Sequence, residues 1–177
     1  MAEIVGIKLE PLDSEAFKPF GRVLESKQPI FPEVEPGEGL VAMEMVRNKR
    51  PNPPRLEELA VHFSYNQTFI PLEGALALIV APAPDNREAG QQNYQLDYKQ
   101  LRAFLINPGE AAIIDKGVWH NALPLGEECK LINVTRKNPG EGTTVQPGPG
   151  RIPHATREYI EMVNLKERDN RILELML

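Results

Sequence analysis

Three histidines occur in this chain, and two of them stand in segments suited to holding a side chain still. His120 lies in Lys116-Gly117-Val118-Trp119-His120-Asn121, after the turn signal Pro108-Gly109 and the apolar run Ala111-Ala112-Ile113-Ile114. A short apolar run bounded by turn residues reads as a buried strand. A glycine then bends the backbone, and a histidine just past the bend can point into a cavity while the sheet holds it. Such an imidazole suits a metal ligand or a proton-transfer group. The plainer alternative is that Trp119 and His120 plug the end of a barrel.

His62 begins His62-Phe63-Ser64-Tyr65-Asn66-Gln67, with Gly74 downstream. The spacing is His-x-Ser-x-x-Gln, then six residues, then Gly. The later segment runs Gly109, five residues, Asp115-x-Gly117-x-x-His120. Together they resemble the two cupin motifs, the first of which carries His-x-His and a Glu and the second Pro-x-Gly-x-x-His. By that resemblance His62, Ser64, Gln67 and His120 fill the four metal-ligand places, two kept as His and two altered.

The resemblance narrows to one cupin family. Gln67-Thr68-Phe69-Ile70-Pro71-Leu72, Leu101-Arg102-Ala103-Phe104 and Gly117-Val118-Trp119-His120 are similar to the ureidoglycolate lyase family. So are Pro11-Leu12-Asp13-Ser14-Glu15-Ala16-Phe17 and Phe20-Gly21-Arg22-Val23-Leu24-Glu25. These segments fall in the family's order over about residues 7–137. The resemblance implies an all-β fold, a cupin-type jelly-roll β-barrel with a short N-terminal helix. It also implies cleavage of ureidoglycolate to glyoxylate and urea, as in allantoin and purine catabolism. Other readings are an enzyme acting on another small hydroxy or keto acid, and a non-catalytic cupin that binds small carboxylates. The chain departs from the family pattern at Asp115 and Asn121, where the family has His. Exchanging imidazoles for a carboxylate and an amide changes charge and hydrogen bonding at the cavity mouth.

Site roles follow from this resemblance. His62, Gln67 and His120 are the expected metal ligands, and Ni, Zn or Mn the expected divalent metal, since neutral imidazoles suit these ions and Fe(II). Glutamine brings no charge, so Asp115 is a candidate for the missing carboxylate, or else a cap on its turn. His120, His62 and Asp115 are the candidate catalytic groups, because imidazole titrates near neutral pH. A carboxylate substrate calls for a cation, and Lys116, Arg102 and Arg136 are the candidates, arginine being favoured for bidentate binding. Tyr65 and Asn121 complete the expected substrate-binding set. Cys129 sits between Glu127-Glu128 and Lys130, acids that raise a thiol pKa, and no base is paired with it. His154 follows Pro153 and reads as an exposed residue at the start of a helix.

The supporting elements are short strands. Proline contributes 17 of 177 residues, which favours strands and turns over a helical bundle. Strands are expected at 4–9, 40–46, 69–70, 75–81, 101–106, 111–114 and 130–135, and a short helix capped by Asp13-Ser14 runs through Phe17. The run 75–81 is apolar on both faces and should be central. The expected organisation is a barrel over 1–137, a Pro/Gly-rich linker over 138–150, and a helical tail over 151–177 lying on the barrel or on a partner subunit.

Composition narrows the function classes. The length allows one domain with a sizeable core. The hydrophobic share is 41%, the charged share 25% and the net charge −5. Scattered basic residues and few aromatics argue against a nucleic-acid partner. No apolar run reaches membrane-spanning length, and 4–9 is too short for a signal peptide. A single cysteine fits a reducing, cytoplasmic setting. Asn133-Val134-Thr135 matches a glycosylation pattern that has no meaning without secretion. A homodimer is expected, joined through sheet edges that would otherwise present unpaired backbone groups.

Overall fold

The computed structural model describes residues 1–25, 28–87, 93–137 and 161–177. The expected linker at 138–150, His154 and the first part of the expected tail helix lie outside these residues. The elements in chain order are β1 (Glu3–Pro11), α1 (Ser14–Phe17), β2 (Gly21–Val23), β3 (Leu40–Lys49), β4 (Arg55–Leu56), β5 (Glu58–Val61), β6 (Gln67–Glu73) and β7 (Leu76–Ala81). After these come β8 (Arg102–Ile106), β9 (Ala112–Ile114), β10 (Trp119–Pro124), β11 (Glu128–Lys137), β12 (Glu161–Asn164), α2 (Leu165–Asp169) and β13 (Arg171–Met176).

The strands form an eight-stranded sheet, ordered β12-β5-β10-β7-β8-β1-β13-β4, and a five-stranded sheet, ordered β2-β9-β6-β11-β3. The expected all-β fold is the observed one, with the two sheets packed over a shared core. Alternation along β7 shows how the cores are divided. Leu76, Leu78 and Val80 belong to a core shared with Phe69, Ala112, Ile114 and Leu131 of the smaller sheet. Ala77, Ile79 and Ala81 face the opposite way, into a core with Leu59, Trp119, Leu173 and Leu175. Successive strand residues point to opposite faces, so a strand buried on both sides must be apolar throughout. That is the reason 75–81 reads as central, and β7 lies between β10 and β8.

Asp13 caps α1 as expected, its Oδ1 accepting the Ala16 amide at 2.8 Å. Phe17 is thereby turned into the core, edge-on to Phe104 at 5.2 Å between ring centroids.

The tail departs from the expected helix. Among the tail's described residues only Leu165–Asp169 is helical, begun by the Asn164 side chain accepting the Glu167 amide and ended by Asn170 in the left-handed conformation. Strand β12 pairs antiparallel with β5, and β13 runs parallel to β1 from Glu3↔Arg171 to Lys8↔Met176. Leu173 and Leu175 are buried with Glu174 between them, a period of two rather than 3.6. The cluster of apolar residues at the terminus thus belongs to a strand, and β1 supplies the backbone hydrogen-bonding partner that a strand requires. The tail closes its own chain's sheet.

Candidate functional site

Gly117 brings the two histidine segments together. Its backbone has φ +81°, a left-handed conformation that favours glycine. Its amide donates to the His62 carbonyl at 2.7 Å. A Cβ there would lie 2.7 Å from the Phe63 ring, so close approach also demands glycine. Three residues on, His120 enters β10 opposite Val80 of β7 and Ala60 of β5. His62 follows the end of β5, and Gln67 opens β6.

These three side chains meet inside the barrel. His62 and His120 are each 2% exposed and Gln67 is 5% exposed. The two imidazoles lie edge-to-face, 4.8 Å between centroids. His62 Nε2 is 3.0 Å from Gln67 Oε1, and His120 Nε2 is 3.1 Å from the same oxygen. The other ring nitrogens are committed to carbonyls: His62 Nδ1 lies 3.0 Å from Tyr65 O, and His120 Nδ1 2.8 Å from Val118 O. A carbonyl only accepts, so each Nδ1 carries its hydrogen. Burial, with the neighbouring His120 adding to it, lowers the His62 pKa to about 3. Burial lowers that of His120 to about 4. Both rings are therefore neutral near pH 7, and each presents an Nε2 lone pair to an oxygen lone pair.

Three acceptors face one another with no hydrogen between them. Such a group is satisfied by a cation. Ligands held about 2.0–2.1 Å from a zinc-like ion at tetrahedral or octahedral angles are themselves about 2.9–3.4 Å apart, and the distances to Oε1 fall in that interval. The donor set fits a divalent metal with two imidazoles and one amide oxygen, the set expected from the sequence. Among the described residues no three His, Cys, Asp or Glu side chains gather in this way.

Around this trio the polar contacts continue. Tyr65 stacks on His62, 3.8 Å between centroids and 8° from parallel. Burial pushes the Tyr65 phenol well up, offset in part by its hydrogen bond to Thr135 and by Arg136. Gln67 Nε2 donates to Asn133 Oδ1 at 2.9 Å, and Asn133 Nδ2 donates to Glu44 Oε1 at 2.9 Å. Residues 33–35 strap the segment down: Asn66 N donates to Glu33 O, Glu35 N donates to Ser64 O, and Val34 bridges to Tyr65.

Other expected site residues are placed elsewhere. Asp115 is half exposed and pairs with Arg22 at 3.8 Å, while its carbonyl accepts the Val118 amide, so it serves the turn. Asn121 is next to His120 on β10 and so faces the other way, its Nδ2 donating to Glu58 O at 2.8 Å. Arg102 binds Glu10 with two nitrogens and the Ala16 carbonyl with a third. Lys116 is held by Glu35 at 2.5 Å and Glu33 at 3.4 Å, over the strap. Arg136 is buried beside Tyr65 and donates from Nε to Glu38 O. Ser64 lends its carbonyl to the strap. Cys129 is buried, its thiol pushed up to about 11, which agrees with its exclusion as a nucleophile.

Asn133 and Glu44 escaped sequence reasoning. Asn133 was legible as a polar residue at an inward position of Leu131-x-Asn133-x-Thr135. Glu44 interrupts the apolar run 41–46 in the same manner. An open groove of about 630 Å³, lined by Glu3, Gln95, Tyr98, Arg168 and Arg171 among others, shares no residue with the histidine cluster.

The family model described as ureidoglycolate lyase matches residues 31–147, which include His62, Gln67 and His120. The chain belongs to the ureidoglycolate lyase family. A ureidoglycolate lyase of Chelativorans sp. is 30% identical over 155 residues, covering 77% of this chain and 87% of the relative. One from Pseudomonas aeruginosa is 29% identical over 153 residues, covering 76% and 85%. One from Escherichia coli is 27% identical over 133 residues, covering 66% and 78%. Family membership makes the enzyme a lyase by type. Among solved structures, a cupin-2 domain protein from Shewanella frigidimarina is similar at a TM-score of 0.37 and 20% identity, covering 70% of this chain and 90% of that one. A dTDP sugar isomerase from Desulfovibrio desulfuricans is similar at 0.41 and 14%, covering 73% of each chain.

Proposed function

We propose that this protein cleaves ureidoglycolate to glyoxylate and urea at the His62–Gln67–His120 cluster. The observation that carries the reading is the convergence of three buried acceptors inside the segment that matches the lyase family. The reaction removes the proton of the substrate's hydroxyl, forms the aldehyde C=O, breaks the C–N bond and returns a proton to the departing urea nitrogen. A small carboxylate substrate needs a cation, and among the expected candidates Arg136 is the buried one and acts on the Tyr65 phenol.

His62 Nε2, His120 Nε2 and Gln67 Oε1 are the atoms that would hold a divalent metal such as Ni, Zn or Mn. When bound, that ion supplies Lewis-acid polarisation of a substrate oxygen. A second reading has its own observation: each neutral imidazole keeps an Nε2 lone pair that can take a proton, although burial, by lowering both pKa values, makes each ring a weaker base than a free imidazole. One lone pair serves one role, so the readings separate by experiment. Glyoxylate and urea release is measured on the purified protein, after chelation, and after readdition of each metal. Activity lost on chelation and restored by one ion supports the metal reading, and activity indifferent to chelation supports the base. No turnover under any condition sinks the substrate assignment.

Assembly is part of the proposal. Strand β3 is the outer strand of the five-stranded sheet, and no described strand pairs with its far side. Its outward residues Val41, Met43 and Met45 are 47%, 69% and 58% exposed. By register Met45 is beside Ile132, which is beside Ile70, so the apolar row continues across the sheet. A second copy laid antiparallel along β3 would pair the edge and cover the row. Sedimentation of Met45→Lys should show monomer where the wild type is dimeric, and a wild-type monomer at micromolar concentration ends the idea. Among the described residues no helix is long and apolar enough to cross a membrane. The lone cysteine is the support for a cytoplasmic location.

A further inference from the structure

We infer that Glu44, acting through Asn133, fixes which end of the Gln67 carboxamide faces the two histidines, and so decides that the cluster is a cation site. This rests on the cation-holding reading above. The Glu44 carboxylate offers only acceptors. Its Oε2 takes the Lys137 ammonium at 2.5 Å, and its Oε1 takes the Asn133 Nδ2–H at 2.9 Å. An amide has donors at one end and an acceptor at the other. Turning the Asn133 NH₂ to Glu44 turns Oδ1 to Gln67. That oxygen accepts only, so Gln67 must give it Nε2–H, at 2.9 Å. Oε1 is then left for His62 and His120. Two neutral amides pass the sign of one carboxylate to the barrel interior without moving a charge.

The opposite polarity would be self-sufficient. Gln67 has two amide hydrogens, and turned about it would give one to each Nε2. All three groups would then be satisfied and the site would have no call for a cation. That arrangement sets Asn133 Oδ1 against the Glu44 carboxylate, two acceptors with no hydrogen, which is the costly outcome for buried polar groups. Glu44 thus moves the mismatch from β3 to the histidines. Strand register makes the relay direct: Glu44 is opposite Asn133, Asn133 is opposite Phe69, and Gln67 is two residues from Phe69 on the same face. Of the other charged or titratable groups, Lys137 pairs with Glu44 and Tyr65 feels its charge. Glu44 touches neither histidine, so it is a positioning residue.

The test uses the full-length protein. Glu44→Gln can meet Asn133 with either end of its own amide and releases the constraint. Asn133→Leu keeps the size of the side chain and cuts the relay. Lys137→Met leaves the carboxylate in place and is the control. In metal-free samples, histidine ¹⁵N spectra report whether each Nε2 accepts a hydrogen bond. Titration with Co²⁺, followed by visible absorption and calorimetry, reports affinity. Glu44→Gln and Asn133→Leu should each move both Nε2 resonances toward hydrogen-bonded values and weaken Co²⁺ about 10–100-fold, the usual cost of losing a residue that orients a ligand. Lys137→Met should stay within about threefold of wild type. Unchanged Nε2 resonances and unchanged affinity in both relay variants overturn the inference. If wild type binds no metal while the relay variants still move the resonances, the relay stands and the cation reading fails. If neither occurs, both fail.

Discussion

Two polar clusters, one buried and one partly exposed, are built on opposite plans. At Arg102 each guanidinium nitrogen meets an acceptor: Nε and one terminal nitrogen reach the Glu10 carboxylate, and the other terminal nitrogen reaches Ala16 O. The guanidinium also lies over the Phe104 ring, 4.7 Å from its centroid. At His62, Gln67 and His120, acceptors meet acceptors. The first arrangement is complete in itself and holds β1 and α1 to β8. The second is complete only when something positive is added. Satisfied polar groups stabilise a fold, whereas an unsatisfied set kept buried marks the place where a ligand supplies what is missing. This difference separates the cluster proposed as the site from the structural one by hydrogen bonding alone.

The largest effect that would break the comparison is on turnover. His120→Ala should lower kcat for glyoxylate release by about 10²–10⁴-fold whether the ring holds a metal or moves a proton. The variant should remain folded by circular dichroism: Val118 O loses its Nδ1–H donor, a cost of about 1–3 kcal/mol, while the acceptor–acceptor contact with Gln67 Oε1 is relieved. A folded His120→Ala enzyme with wild-type kcat would show that the convergent acceptors are structural after all.

Acid distinguishes the clusters next. Both histidine pKa values are lowered in the folded state, to about 3 and about 4, from about 6.5 unfolded. Below 6.5 the unfolded chain therefore binds protons that the folded chain refuses. The stability conferred by these neutral rings is complete above pH 6.5 and is lost as pH falls toward the folded values. The loss is at most about 1.4 kcal/mol per pH unit for each ring, or about 2 kcal/mol each by pH 5. Glu10 is also held down, by Arg102, but it acts lower, as pH falls below the ordinary carboxylate range. Urea unfolding of the metal-free protein between about pH 6.5 and 5 isolates the histidines. In His62→Asn the slope of stability against pH should fall by about half, whatever the absolute stability. An unchanged slope would mean that His62 titrates normally in the fold.

How much of this was legible beforehand follows the same division. Strand β7 was readable because burial on two faces demands apolar residues throughout. His62, Gln67 and His120 were readable because their spacing about Gly117 matches a family pattern. Asp115 and Asn121 were misplaced by proximity in sequence: one residue's shift along a strand reverses its face, and a turn residue is drawn to its cap. The terminal run of Leu, Ile and Met fits both periods, so the sequence alone predicts a helix, and the parallel pairing with β1, far away in the chain, makes it a strand. In the sequence Asn133 stands out only as part of an Asn-x-Thr pattern. Its role depends on which strands lie either side of β11, a fact of topology rather than of local sequence.

The smallest expected effect tests the structural cluster itself. The sequence suggested Arg102 as a carboxylate clamp for the substrate, whereas the structure gives its fork to Glu10. Arg102→Met keeps the apolar stem over Phe104 and removes the charge. Its ion pair is about one-third exposed on each side, so screening holds the loss to about 1 kcal/mol or less, with a few tenths more for the contact over the ring. The midpoint of thermal unfolding should drop by a few degrees, about 2–4 °C for a chain of this size. Adding Glu10→Gln to Arg102→Met should recover part of that loss, because the remaining carboxylate would no longer stand unpaired. Both kcat and KM should stay within about twofold of wild type, since no contact runs from this cluster to the histidines. A KM raised tenfold or more with kcat unchanged would reverse the assignment: Arg102 would then be binding substrate, and completeness of its hydrogen bonds would no longer mark a cluster as structural.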